Sequence, residues 1–173
     1  MERNLWSRGQ LGSLVLLMVA VGLILRPWES DDARGKGPTS VEAFVTRVVD
    51  GDTIEAQIGD QLEDVRYIGV DTPETVKPDT PVQCFGPQAS SFNHRMVEGR
   101  QVRLVFGVER RDVYGRLLAY IYLGRHFVNA ALVRRGLARS LTIPPNDRFA
   151  PLFRGLELRA ARAGRGLWGA CPA

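Results

Sequence analysis

The sequence predicts an α+β protein built on a small closed β-barrel. Two observations point there. Strand-like segments with short connections come first, from Val41 to Val70, and two more strands follow among helix-like segments. No internal repeat or low-complexity tract interrupts them. About five strands with interspersed helices suit the five-stranded Greek-key oligonucleotide-binding (OB) barrel with three helices.

The elements follow in chain order. Val41 to Val49 is rich in β-branched and aromatic residues and predicts a strand. Asp50-Gly51 is a tight-turn pair leading into a second strand, Thr53 to Ile58, and Gly59-Asp60 turns into a third, Leu62 to Val70. Asp71 to Gly86 is polar, proline-bearing and aperiodic, which predicts a long loop of the kind that often carries function. Pro87 to Glu98 predicts a helix with Ala89, Phe92 and Met96 on one face and Gly99 as its left-handed stop. Gln101 to Val108 and Tyr114 to Leu123 predict strands, the latter around a Tyr-Gly-Arg turn. Asn129 is placed to cap a short helix from Ala130 to Arg135. The last helix starts near Pro151 and runs to about Ala163, with Leu152, Leu156, Ala160 and Ala163 facing inward.

Ahead of this body lies a segment of different character. Arg3 and Arg8 precede 15 uncharged residues, Leu11 to Leu25, closed by Arg26, Pro27 and Trp28. The pattern is that of an export signal. Fifteen residues at about 1.5 Å each fall short of a ~30 Å hydrocarbon core, but Arg26 can snorkel and Trp28 can sit at the interface. No small-residue cleavage site follows. The expectation is an uncleaved signal anchor over residues 1–28, a flexible linker over 29–38 and an exported domain over 39–173, with a cleaved, secreted form as the alternative.

Composition narrows the function. The chain of 173 residues is 45% hydrophobic, which excludes disorder throughout and suits one domain with a short appendage. Two cysteines and two histidines exclude a thiolate zinc site and a multi-histidine metal site. The formal charge is +4, and only Lys36 and Lys77 of the 23 basic residues are lysines. Residues 134–173 carry eight arginines against two acids, while residues 39–133 hold ten basic residues against thirteen acids. A basic end beside an acidic middle suits a protein that binds a polyanion and also holds a cation, although a solvated helix surface would look the same.

The acids have an order. Asp52 opens the second strand; Asp71 and Glu74 lie just past the third. In a hairpin of these lengths all three can reach one barrel rim. Carboxylates so gathered repel unless a cation sits among them, and an all-oxygen set suits calcium or magnesium. Arg66 in the third strand and Arg116 at the Tyr-Gly-Arg turn can clamp phosphate. A carboxylate not needed as a ligand can activate water. The chemistry inferred is metal-assisted phosphodiester hydrolysis.

Taken in order, VVDGDTIEA, VRYIGVDTPET, FGPQASSFNHRMVEG, RRDVYGRLLAYIY and FVNAALVRRGLA, followed by a terminal helix with GLW, resemble the thermonuclease, or staphylococcal-nuclease-like, family from about Val41 to Trp168. The resemblance implies an OB barrel with three helices and calcium-dependent hydrolysis of DNA and RNA with little sequence preference. It implies Asp52 and Asp71 as metal carboxylates, Thr72 as a backbone-carbonyl ligand, Glu74 as general base and Arg66 and Arg116 as phosphate-binding and catalytic. Tyr114 is kept as a substrate contact. The sequence departs from the best-known member at Val113, where that member has lysine, and in SLTIPPN (140–146), which lacks its two tyrosines. The alternative function is a non-catalytic nucleic-acid-binding barrel, which the intact carboxylate set disfavours. No obligate protein partner is expected; the partners are DNA or RNA and, through residues 1–28, a membrane, with the domain itself monomeric. If the body is exported, Cys84 and Cys171 are expected to pair, with two free thiols as the alternative.

Overall fold

The computed structural model describes residues 39–76 and 78–171. The expected signal anchor and linker lie outside them. Among the described residues, no helix is long and apolar enough to cross a membrane.

Five strands close the barrel. They are β1 (Ser40–Val48), β2 (Thr53–Ile58), β3 (Gln61–Tyr67), β5 (Gln101–Arg111) and β6 (Leu117–Leu123), paired in the order β3-β2-β1-β5-β6. Closure comes from a parallel pairing of β3 with β6, Val65 to Leu117 through Tyr67 to Ala119. β1 serves both halves: Ser40 to Phe44 pair with β5, while Phe44 to Val48 pair with β2. A register shift between Val45 and Arg47 bends the strand between those partners, as bulges do in small barrels. Gly99 donates to the Val45 carbonyl and Val45 to that of Arg100, so the bend is tied to the chain leaving the first helix.

Short pairs complete the sheet structure. β7 (His126–Phe127) extends the barrel beside β6, and β4 (Val70–Asp71) pairs apart from it with β8 (Arg139–Ser140). The third expected strand therefore splits. Ile68 and Gly69 form a turn, and Gly69 has φ +81°. A Cβ there would lie 2.4 Å from the Phe153 ring, so only glycine fits.

Three helices pack on the barrel: α1 (Gly86–Val97), α2 (Val128–Arg134) and α3 (Ala150–Arg162). A single turn, α4 (Leu167–Ala170), follows. α1 buries Ala89, Phe92, Asn93 and Val97, the spacing of one helical face. On α3 the buried face is Phe153, Leu156 and Ala160. This corrects the expectation for Leu152 and Ala163, which are exposed. The 3.6-residue period fixes the face once the Phe153 ring is seated against Gly69, and Leu152 is one residue out of phase with it.

Asn129 is also corrected. It is no cap: α2 starts at Val128 without a side-chain cap bond. Its buried amide donates to the Ile68 carbonyl at 2.9 Å, and its oxygen accepts from the Ile121 amide at 2.9 Å. Two backbone groups that the strands leave over are thereby satisfied. The Tyr114 segment likewise starts later than expected, because residues 112–116 form the turn and β6 begins at Leu117.

Candidate active site: a carboxylate rim beside an arginine cleft

Alternation along β3 sets the site. Val65 and Tyr67 point into the core, so Arg66 between them points outward at the barrel edge. Its register partner on β2 is Thr53, the residue after Asp52. The Asp50-Gly51 turn carries Asp52 to the same edge, where it is 2% exposed. A Cβ on Gly51 would come within 2.6–2.8 Å of the Thr72 side chain, so glycine lets the two loops meet.

One guanidinium joins the acids. Arg66 Nη1 lies 3.1 Å from Asp52 Oδ1, and Nη2 lies 3.0 Å from Asp71 Oδ1. The Thr72 amide donates to Asp52 Oδ2 at 2.7 Å. Asp71 in turn sits on β4 opposite Arg139. Burial, opposed by Arg66 and reinforced by Asp50, pushes the Asp52 carboxyl from 3.8 up to about 6. Asp50 is raised as well, chiefly by burial, with Glu74 adding repulsion. Burial works against the Arg66 charge, but Asp52 and Asp71 more than offset it, and its pKa is raised.

This chemistry suits a hard cation. A buried carboxylate lies one guanidinium away from a second, exposed one, and carboxylate oxygen is the ligand type that a hard cation prefers. Among the described residues no ready-made cage of three acidic, histidine or cysteine side chains is present. A cation would have to draw on backbone oxygen, as from Thr72, and on water as well.

Beside the rim opens a cleft of about 540 Å³, lined by Asp50, Arg66, Glu74, Tyr114 and Arg116 among others. The Glu74 carboxylate accepts from the Thr75 and Val76 amides at 2.8 and 2.9 Å, which fixes its orientation. Its backbone is pinned by Gln83, whose side chain accepts from the Glu74 amide and whose amide donates to the Glu74 carbonyl. Arg116 stands under the control of Asp112. Asp112 Oδ1 accepts from the amides of Tyr114 and Arg116, both at 3.0 Å, and Oδ2 accepts from Arg116 Nε at 2.7 Å. The Arg116 guanidinium lies 5.4 Å from the centre of the exposed Tyr114 ring.

Sequence reasoning missed the supports. Asp112 had a local signal, since Asp two residues before a turn's amide forms an Asx turn. Asn93 had none: from α1 it accepts from the buried Tyr67 hydroxyl at 2.9 Å and donates to the Asp50 carbonyl at 3.0 Å, bracing the turn that presents Asp52. Cys84 and Cys171 form a disulfide with Cα atoms 5.8 Å apart, which joins the loop before α1 to the chain end. Such a bond suits an oxidising, extracytoplasmic compartment.

A carboxylate rim and a two-arginine cleft on one edge of a five-stranded barrel are the equipment of a hydrolase that acts on phosphate esters. Comparison with known proteins agrees. Residues 64–170 match the staphylococcal nuclease homologue family. The thermonuclease of Staphylococcus intermedius is 42% identical over 160 residues, covering 91% of this chain and 95% of that protein. That of Staphylococcus hyicus is 41% identical over 124 residues, covering 72% and 73%. Endonuclease YncB of Bacillus subtilis is 39% identical over 130 residues, covering 74% and 62%. The chain belongs to the staphylococcal nuclease family and is, by homology, a hydrolase of the thermonuclease type.

Proposed function

We propose that the chain is a calcium-dependent phosphodiesterase that cleaves DNA and RNA with little sequence preference. The observation that carries this reading is Arg66 bridging Asp52 and Asp71 at the mouth of a cleft shared with Glu74 and Arg116.

The carboxylates of Asp52 and Asp71 and the backbone carbonyl of Thr72 would hold the cation. Bound calcium would supply polarisation of the phosphate and a more acidic water. The chain's own residues do the rest. Arg66 and Arg116 bind the non-bridging phosphate oxygens and stabilise the charge that builds on them. Arg66 is held by its two carboxylates before substrate arrives, so its fork is already aimed. Glu74, oriented by two amides, takes the proton of the attacking water. The water oxygen bonds to phosphorus, the bond to the 5′-oxygen breaks, that oxygen leaves with the electron pair and takes a proton from solvent to become a 5′-hydroxyl, and the other product carries a 3′-phosphate. Tyr114 borders the cleft as a substrate contact. A pure binding module is the other reading, and the full set of Asp52, Asp71 and Glu74 favours catalysis over it.

The domain is further proposed to work outside the cytoplasm as a monomer. A signal anchor over residues 1–28 and a linker over 29–38 would tether domain 39–173 to the membrane, with Arg3 and Arg8 retained inside. The deciding experiment is hydrolysis of single-stranded DNA, double-stranded DNA and RNA with calcium and with excess chelator. Loss of all three activities in chelator is expected; full activity there overturns the calcium reading, and no hydrolysis under any condition overturns catalysis.

A further inference from the structure

A second concavity, of about 1110 Å³, shares no lining residue with the cleft. α1, the β6–β7 turn, α2 and the approach to α4 line it. Six arginines stand round it: Arg95, Arg100, Arg125, Arg134, Arg135 and Arg165. All six are exposed. Among the described residues none of them is ion-paired with a carboxylate, and no aspartate or glutamate lines the groove.

The floor is of another kind. Phe85, Phe92 and Phe127 line it with Met96 and Leu137, half-buried or buried. The Arg135 guanidinium lies 4.9 Å from the Phe92 ring centre. Like charges gathered about one concavity repel one another unless an anion sits among them. A basic rim over an aromatic and apolar floor is the arrangement that tracks a phosphate backbone while its bases stack. A duplex offers no free base faces to such a floor. A bilayer surface is matched by apolar side chains that project outward, whereas these are sunk beneath the arginines.

A smaller pocket, with a lining of its own, lies by sequence between groove residues and the catalytic rim. It has a volume of about 210 Å³, and Asp71, Thr72, Cys84 and Leu167 are among its lining residues. Cys84 and Leu167 are sequence neighbours of the groove residues Phe85 and Gly166.

From this we propose that the groove is a second binding site, which takes the single-stranded flank of a nucleic acid whose scissile phosphate lies in the Arg66–Arg116 cleft. The inference rests on the nuclease reading for its substrate and adds a site that the reaction itself does not use. It makes the enzyme favour long single strands over short ones, because each phosphate held in the groove adds to affinity without touching the bond that breaks.

The test uses the full chain and the double substitution Arg125→Glu with Arg134→Glu. Binding of a fluorescent oligothymidylate is followed by anisotropy in calcium chelator over a range of salt. The variant is expected to bind about tenfold more weakly, with a salt slope lower by about 1.4, the share of two phosphate contacts on a single strand. Arg66→Ala with Arg116→Ala is expected to retain most of that binding. In calcium, hydrolysis of a dinucleotide is expected to be unchanged by the groove substitution, while kcat/KM on the oligonucleotide falls about tenfold. Circular dichroism checks the fold, and Arg125→Gln with Arg134→Gln replaces the charge reversal if that variant does not fold. Oligonucleotide affinity and length preference equal to wild type would overturn the proposal. So would loss of binding to phosphatidylglycerol vesicles with oligonucleotide affinity intact, which would assign the groove to lipid. A wild-type protein that leaves the dinucleotide uncut in calcium refutes the nuclease reading instead, and the anisotropy arm still reads the groove.

Discussion

Arg66 and Asp52 form a charge-assisted hydrogen bond of 3.1 Å at the barrel edge, with Asp52 buried and Arg66 reaching on to Asp71 at 3.0 Å. Two carboxylates on one planar fork demand the geometry of arginine. A lysine would keep the charge but could not span both acids and then present two parallel donors to phosphate. Arg66→Lys is therefore expected to lower kcat by about a hundredfold, with a smaller change in KM, as loss of a preorganised transition-state donor does. Steady-state kinetics on a defined oligonucleotide measure both; a raised KM with unchanged kcat would contradict the role.

The Asp52 carboxyl gives a pH dependence with a definite sign. Its folded value is about 6 against an ordinary 3.8, so the folded protein binds this proton more readily than the unfolded chain. The stabilisation that follows is complete below about pH 4 and is lost as pH rises through about 6. In calcium chelator, Asp52→Asn should flatten the fall in Tm between those limits, relative to wild type. Calcium needs the ionised carboxylate, so the Tm gain from added calcium should be larger near pH 7.5 than near pH 5 in the wild type, roughly as proton competition requires. Asp52→Asn should lose most of that gain at both. Thermal melts across this range, with and without calcium, check it.

Asp112 offers a test of positioning. It ties the Arg116 side chain and two turn amides to one carboxylate, at 2.7 to 3.0 Å. Asp112→Ala is expected to lower kcat by about tenfold through a loosened Arg116 and to cost about 1–2 kcal/mol of stability through the lost turn bonds. A merely structural role would move Tm and leave kcat unchanged. Asp112→Asn keeps acceptors for the amides and should recover most of the stability and less of the turnover.

Much of this arrangement was legible in the sequence because it is local. Alternation in β3 sends Val65 and Tyr67 inward and Arg66 out, and the short turns around Asp52 and Asp71 bring their ends to one edge. What was not legible depends on distant partners. On α3 Leu156 and Ala160 face inward as expected, but Phe153 takes the place expected of Leu152, because the two are equally apolar and Gly69 decides between them. Asn129 looked like a cap because it precedes a helical pattern, yet it serves carbonyl and amide groups on β6 and the Ile68 turn. Asn93 lies within a helix like any surface amide, and its tie to Asp50 exists only because α1 packs across the β1–β2 turn. The arginine groove could be suspected from the basic C-terminal stretch, but Arg95, Arg100 and Arg125 join it from outside that stretch.

The disulfide makes the last prediction, because it couples stability to location. Cys84 and Cys171 are 87 residues apart in sequence, so their bond closes most of the domain into one loop. Closing a loop of that length removes conformational freedom chiefly from the unfolded chain, and its loss is expected to cost about 2–4 kcal/mol. Cys84→Ser, Cys171→Ser and the reduced wild type should therefore melt lower by similar amounts, about 10 °C for a domain of this size. Calcium-dependent turnover at moderate temperature should change little, since neither cysteine lines the Arg66–Arg116 cleft. The bond persists only where thiols are oxidised, so material from the producing cell should resist alkylation until it is reduced. Fractionation with N-terminal sequencing then tests the tether. A membrane fraction that retains Leu11 to Leu25, with the alkylation-resistant domain accessible to added protease outside the cell membrane, is the expected result. A soluble exported product lacking that stretch would refute the anchor while preserving export. Enzyme confined to the cytosol with both thiols open to alkylation would refute export and the disulfide together.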